Sequence, residues 1–201
     1  MTIYIVDIEA VDTRYTKQWK EHLPKQLRRS TNNEVIVISG GETPQATTPG
    51  AFLNFGGTNV YKSNQLAQIG EMFCAGKIQD GDYFLYTDAW NPTVIQLRYM
   101  AELLGVNIRV GGMWHAGSYD PQDFLGRLIG DKPWVRNTER SMFETYDNNF
   151  FASDNKFLFK LLTLKSNSTT SSPKNKLRFS IWFPLLELIF LEEKKPLNVL
   201  E

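Results

Sequence analysis

The sequence contains one cysteine, Cys74, so it forms no internal disulfide and no cysteine-rich metal site. Cys74 follows Ile69 and Phe73 on a predicted helix, and this setting predicts a buried structural thiol. The amino terminus also lacks the basic and apolar layout of a secretory signal. Together these absences favour a cytoplasmic protein in a reducing compartment.

The chain carries no net charge, because 22 Lys and Arg balance 22 Asp and Glu. The balance is uneven, with a net charge of −4 over residues 1–155 and +4 over residues 156–201. Phosphate contacts need Lys and Arg, so the acidic first part argues against direct nucleic-acid binding by this chain. The most apolar stretch, 177–191, contains Arg178 and Glu187 and is too short to cross a bilayer, so no membrane partner is predicted.

The last 46 positions, residues 156–201, contain no Gly, Ala, Asp, His or Tyr. The preceding part uses all five, so we place a boundary near residue 156. One interpretation of the tail is an atypical helical appendage. The other is an out-of-frame or foreign tail on a truncated gene, which would pack weakly or remain disordered because its polar middle offers little apolar surface.

Residues 1–155 alternate apolar, β-branched runs with amphipathic segments, the pattern of strands and helices in turn. The sequence predicts an α/β, doubly wound, Rossmann-like parallel sheet in a single domain. The predicted strands cover 2–8, 34–39, 82–87, 107–112 and 149–153, and the predicted helices cover 16–29, 59–77, 92–104, 121–129 and 133–146.

The most informative stretch is 81–121, in which two predicted strands each run into a loop of polar and aromatic residues. Asn91 and Pro92 are typical of a helix start, and Gly105 of a helix end, so the stretch reads strand, helix, strand. Open parallel sheets bind ligands in the crevice at the carboxyl ends of their strands. We therefore expect the functional site at that edge.

His115 is the first candidate for chemistry, because it directly follows a strand and has glycines nearby. Asp88, the second catalytic candidate, is at the end of the preceding strand, where its carboxylate could orient a hydroxyl or a catalytic histidine. Each kind of candidate residue in this region also has a plainer interpretation. A lone histidine is often structural, a carboxylate at a strand end often caps a helix, and large aromatic residues such as tryptophan often close a core. The further candidates for substrate binding are Asp7, Glu9, Lys62, Trp90, Trp114, Ser118 and Tyr119.

Several well-known signatures are absent, namely GxGxxG, Walker A, HExxH and GxSxG, and no cofactor or metal site is predicted. The glycine pairs at 40–41 and 56–57 fit turns as well as phosphate-binding loops. Lys62 and Gln65, early in the helix after Gly57, are placed where an anion could bind, although a solvated first helical turn is the simpler explanation.

Four segments together resemble the amino-terminal domain of GT-B glycosyltransferases, of the kind found among bacteriophages. They are WVRNTE at 134–139, YDNNFFAS at 146–153, DAW at 88–90 and WHAGSYD at 114–120. That pattern usually continues with a Phe-His pair after the serine. Here residues 154–157 read DNKF instead, at the point where the composition changes.

The resemblance implies transfer of a sugar from a nucleotide-sugar donor to an unidentified acceptor hydroxyl. His115 and Asp88 would lie near that hydroxyl, with Trp90 and Trp114 at the walls of the cleft. In GT-B enzymes a second domain binds most of the donor, so this chain would be inactive alone or would need a separately encoded carboxyl-terminal domain. The alternative is a non-catalytic α/β module that binds a nucleotide or a sugar.

Overall fold

A computed structural model describes residues 1–11, 14–43, 46–49, 51, 53–115, 117–118, 122–130, 132–151 and, for the backbone, 176–179. The strands are β1 (Thr2–Val6), β2 (Glu34–Ile38), β3 (Tyr83–Tyr86), β4 (Arg109–Trp114), β5 (Asn148–Phe151) and β6 (Lys176–Phe179). The helices are α1 (Tyr15–Ser30), α2 (Phe55–Cys74), α3 (Thr93–Leu104), α4 (Phe124–Leu128) and α5 (Pro133–Thr145).

The strands form one parallel sheet in the order β2-β1-β3-β4-β5-β6. Helices connect each pair of consecutive strands from β1 to β5, as parallel pairing requires. Side chains on opposite faces of the central strands, such as Ile5 and Tyr4, are both buried, which explains their unbroken apolar sequences. The predicted α/β, doubly wound, Rossmann-like architecture is confirmed.

Each face of the sheet has its own apolar core. On one face, Ile69 of α2, Leu97 of α3 and Met142 of α5 pack against the sheet. On the other, Leu27 of α1 packs with Ile5 and neighbouring strand residues. The two layers hold the carboxyl ends of the strands at one edge, which is the edge that the sequence predicts to be functional.

Strand β4 begins two residues later than predicted and continues through Gly111 and Gly112 to Trp114. The glycine pair is at the end of the predicted strand, but in the fold it lies inside β4, where the absence of side chains leaves space for aromatic rings. A Cβ atom on Gly111 would lie 2.1 Å from the Tyr83 hydroxyl oxygen, and one on Gly112 would lie 2.7 Å from the Tyr146 ring. Both glycines are therefore part of the packing of β4.

One local prediction is wrong. Cys74 is exposed, because it ends α2 on the side facing away from the core. Val37 is only half-buried, since β2 lies at the edge of the sheet. Proline within a helix often interrupts it, but α1 continues through Pro24.

Two further predictions concern the segments that follow β4 and β5. The predicted helix start at Asp120 and Pro121 lies outside the described residues, and Asp123 caps α4. In the tail, residues 176–179 form a strand instead of the helix considered above, and they pair in parallel with β5. The rest of 156–201 lies outside the described residues, so its origin stays a prediction. Among the helices that the structure describes, none is long and apolar enough to cross a membrane.

Candidate functional site

The crevice lies where the sheet topology changes direction. The chain leaves β1 toward β2 on one side and leaves β3 toward β4 on the other side. The two connections therefore diverge from the adjacent carboxyl ends of β1 and β3, which leaves a crevice there. Asp7 follows β1, Thr87 and Asp88 follow β3, and His115 follows β4. The fold therefore brings these predicted candidates to one edge of the sheet.

Residues 87–90 form the floor of this crevice, and their hydrogen bonds and ion pair connect them to three other elements of the domain. The backbone N–H of Thr87 donates to Val6 O (3.0 Å), and that of Ala89 donates to Met113 O (2.8 Å). Lys62 Nζ of α2 lies 3.3 Å from Asp88 Oδ2 and donates to Trp90 O at 2.6 Å. The loop is consequently fixed by β1, β4 and α2 together.

His115 lies against this floor, half-buried, with Nε2 2.7 Å from Thr87 O. A carbonyl oxygen only accepts hydrogen bonds, so in the neutral ring Nε2 carries the proton and Nδ1 carries the lone pair. The rings of Tyr15 and Trp19 lie 5.3 and 5.5 Å from the imidazole, measured between centroids. Contacts from α1 and a bond to the β3 loop thus orient a ring whose Nδ1 has no partner among the described residues.

Asp88, the second catalytic candidate, faces Lys62 and not His115 among the described contacts. Its Oδ1 accepts from the backbone N–H of Trp90 at 3.2 Å. Its charge also acts on Tyr15, whose ring lies beside His115. Burial, and after it the negative charge of Asp88, raises the pKa of Tyr15. Asp88 therefore fixes the loop and contributes negative charge beside the histidine.

Glu139 of α5 is buried and holds two predicted site residues in place. Its Oε1 accepts from Trp90 Nε1 at 2.8 Å and from the backbone N–H of Ser118 at 2.7 Å, and its Oε2 accepts from Ser118 Oγ at 2.9 Å. Glu139 is not among the site residues predicted from the sequence. The available signal was its helical spacing with Val135 and Met142, which puts a carboxylate on the apolar face of α5.

Trp114 is at the end of β4 with its ring in the core, where Nε1 donates to Asn149 Oδ1 at 2.7 Å. Only 6 % of it is exposed, so the fold places this ring in the packing between β4 and α5 and leaves little of it at a cleft wall. Trp90 is half-buried and retains some surface at the crevice. Tyr119 lies outside the described residues.

A second polar cluster is buried at the end of β1 around Asp7. Asp7 Oδ1 accepts from the Tyr61 hydroxyl and from Gln65 Nε2, and Lys20 Nζ lies 3.2 Å from Oδ2. Lys20 also donates to Tyr61 Oη and to Ser39 Oγ, both at 3.0 Å. Gln65 is fully buried between Tyr61 and Ile69 on the same face of α2, so it holds Asp7 and does not lie at the helix amino end as an anion ligand.

Burial affects the two ends of the Asp7–Lys20 ion pair differently. Burial raises the pKa of Asp7, and the bonds from Tyr61 and Lys20 offset only part of that rise. Burial lowers the pKa of Lys20, but its bond to Tyr61 and the charge of Asp7 outweigh this, so its pKa is raised. The difference follows from exposure, since the side chain of Lys20 is 31 % exposed and that of Asp7 is 1 % exposed.

Asp7 is expected to make stability depend on pH. A raised folded-state pKa means that its contribution is fully present below about pH 3.9, the usual unfolded value, and is lost as the pH rises through the folded value. The free energy of unfolding of the protein minus that of Asp7→Asn should therefore fall as the pH increases over this window. Urea unfolding at a series of pH values measures it, with exposed Glu21→Gln as the control. A difference that grows with pH would contradict the prediction.

Glu9 completes the carboxyl end of β1. It is half-buried, and its Oε1 accepts from the Thr43 hydroxyl, which joins the loop after β1 to the loop after β2. Among the residues that the structure describes, no group of three His, Cys, Asp or Glu side chains is arranged to hold a metal ion. No family model matches the chain, and no curated protein matches it.

Proposed function

We propose that this domain is the acceptor-binding part of a GT-B glycosyltransferase, in which His115 removes the proton from an acceptor hydroxyl. The orientation of His115 carries the proposal: Nε2–H donates to Thr87 O, so Nδ1 is available as a base at the carboxyl edge of the sheet. The four sequence segments that resemble this family support the enzyme class.

In this reaction the acceptor hydroxyl donates its hydrogen bond to Nδ1. As the hydroxyl oxygen forms a bond to the anomeric carbon of the donor sugar, its proton moves to Nδ1 and the bond from that carbon to the diphosphate breaks. The nucleoside diphosphate leaves with the electron pair. Thr87 O holds the ring in the required tautomer throughout, as a partner at the second nitrogen does in other histidine bases.

The described residues form one Rossmann-like domain, so donor binding is assigned to a second domain, either on a longer chain or separately encoded. We therefore expect measurable acceptor binding by this chain and transfer only when a donor-binding domain completes it.

The alternative, a non-catalytic module that binds a sugar or nucleotide, is favoured by one observation. The described partner of His115 is a backbone carbonyl and not a carboxylate, and a carboxylate is the usual group that stabilises an imidazolium during proton transfer. Such a module would bind the same ligands without transfer.

Nitrogen-15 NMR of the histidine side chains tests the proposal on this chain as it is. His115 should show the Nε2–H tautomer, and addition of sugars with free hydroxyls should shift its Nδ1 resonance. His22, exposed on α1, is an internal control that should not respond. The Nδ1–H tautomer, or sugar binding without any change at His115, would reject the catalytic role and leave the binding module.

A further inference from the structure

Three buried side-chain oxygens near the end of β1 make no hydrogen bond within the described residues, and one of them, Asp7 Oδ2, is held only by its ion pair with Lys20. They are Asp7 Oδ2, Glu9 Oε2 and Gln65 Oε1. Gln65 is fully buried, and its Nε2 is bound to the backbone oxygens of Asp7 and Ile38, so the orientation of the amide is fixed and Oε1 is left over. Buried polar atoms of this kind are normally paired, so each unpaired one calls for an explanation.

All three atoms are acceptors, and no unpaired buried side-chain donor accompanies them among the described residues. A group that satisfies them must therefore supply O–H or N–H donors. Phosphate is the wrong kind of ligand, because its oxygens accept hydrogen bonds and its charge would meet Asp7 and Glu9. The cluster selects for a ligand rich in donors.

A metal ion would also suit carboxylate and amide oxygens. Lys20 argues against it, since its ammonium group lies 3.2 Å from Asp7 Oδ2, and a second cation beside it would be repelled. Hydroxyl groups bring donors without charge. Among common ligands, sugars offer adjacent hydroxyls that two or three neighbouring acceptors can bind together.

We infer that the carboxyl end of β1 binds adjacent hydroxyl groups of a neutral, unphosphorylated sugar, with Glu9 as the direct ligand. Glu9 is half-buried and can contact the sugar directly, whereas Asp7 and Gln65 are almost fully buried, so a bridging water would have to carry a donor to Gln65 Oε1. The inference rests on the proposed function and deepens it, because it names the acceptor class as a neutral sugar and assigns Glu9 to its recognition.

Saturation-transfer NMR and calorimetry of the whole chain with glucose, galactose and mannose test this assignment, with glucose 6-phosphate as the charged counterpart. At least one neutral sugar should bind, and the phosphate ester should bind more weakly. Glu9→Gln places an amide where the carboxylate stood and should weaken the binding of that sugar about 10-fold or more, the scale of a hydrogen bond to a charged group.

Glu34→Gln is the matched control, because it makes the same change on an exposed residue at the start of β2, the opposite edge of the sheet. It should leave sugar affinity unchanged. The inference is overturned if none of the three sugars binds, if the phosphate ester binds more tightly, if Glu9→Gln binds as the unmodified chain does, or if Mg²⁺ or Ca²⁺ alone binds at Glu9.

The outcomes also separate this inference from the proposed function. If a sugar binds through Glu9 while the Nδ1 resonance of His115 does not respond, the sugar site stands and the catalytic role fails. If the sugar perturbs His115 while Glu9→Gln has no effect, the catalytic role stands and the assignment of Glu9 fails.

Discussion

Replacing His115 with alanine should reduce sugar transfer by about 10²-fold or more, which is the usual contribution of a positioned general base. The substitution removes Nδ1 and the bond from Nε2 to Thr87 O, but the floor of the crevice keeps its other bonds to β1, β4 and α2. The measurement is the transfer rate from a nucleotide sugar when the chain is combined with its donor-binding domain.

Two comparisons make this result specific to the base. His22→Ala alters the other histidine, exposed on α1, and should transfer at the unmodified rate. The free energy of unfolding of His115→Ala should fall by only about 1 kcal/mol, because one hydrogen bond and two ring contacts are lost. Transfer at the unmodified rate by His115→Ala would remove the residue from the mechanism.

Replacing Glu139 with alanine should have the largest effect on stability, a loss of about 3 kcal/mol or more in the free energy of unfolding. The reason is that three donors lose their acceptor, from Trp90 and from the backbone and side chain of Ser118. A buried donor left without a partner costs about 1–3 kcal/mol. Urea unfolding monitored by circular dichroism measures the loss.

Glu144→Ala is the control, since it removes an exposed carboxylate from the same helix whose one partner among the described residues is Arg140. Its effect should be within about 0.5 kcal/mol. The Glu139 substitution should also weaken sugar binding, because Ser118 belongs to the loop that follows His115. A small stability loss in Glu139→Ala, equal to that of the control, would show that the three bonds contribute little.

The sequence predicts the strands and their parallel arrangement because that information is local, in β-branched runs separated by amphipathic helices. The end of each strand is also local, and so Asp7, Asp88 and His115 could be placed at one edge. The partners of these residues are not local: Trp90 meets Glu139 across 49 positions, and Gln65 meets Asp7 across 58. A single sequence does not reveal such pairs.

The errors share a second cause, which is that each residue was interpreted without knowledge of its neighbours in the folded structure. The predicted strand ends at Gly112, whereas in the fold Gly111 and Gly112 lie inside β4 against the rings of Tyr83 and Tyr146. Trp114 was predicted to be available for stacking, whereas its indole N–H donates to Asn149 in the core. Cys74 was assigned to the core by its apolar neighbours in sequence, although it faces the other way at the end of its helix.

The position of β1 between β2 and β3 in the parallel sheet has a consequence for how the protein folds. Strand β1 pairs with β2, which ends at Ile38, and with β3, which ends at Tyr86. During synthesis, β1 can therefore pair with β3 on its second edge only after about 80 further residues have been made. Pairings of this kind close long loops before any contact repays the entropy, so we expect refolding in milliseconds to seconds, slower than for a helical bundle of similar size.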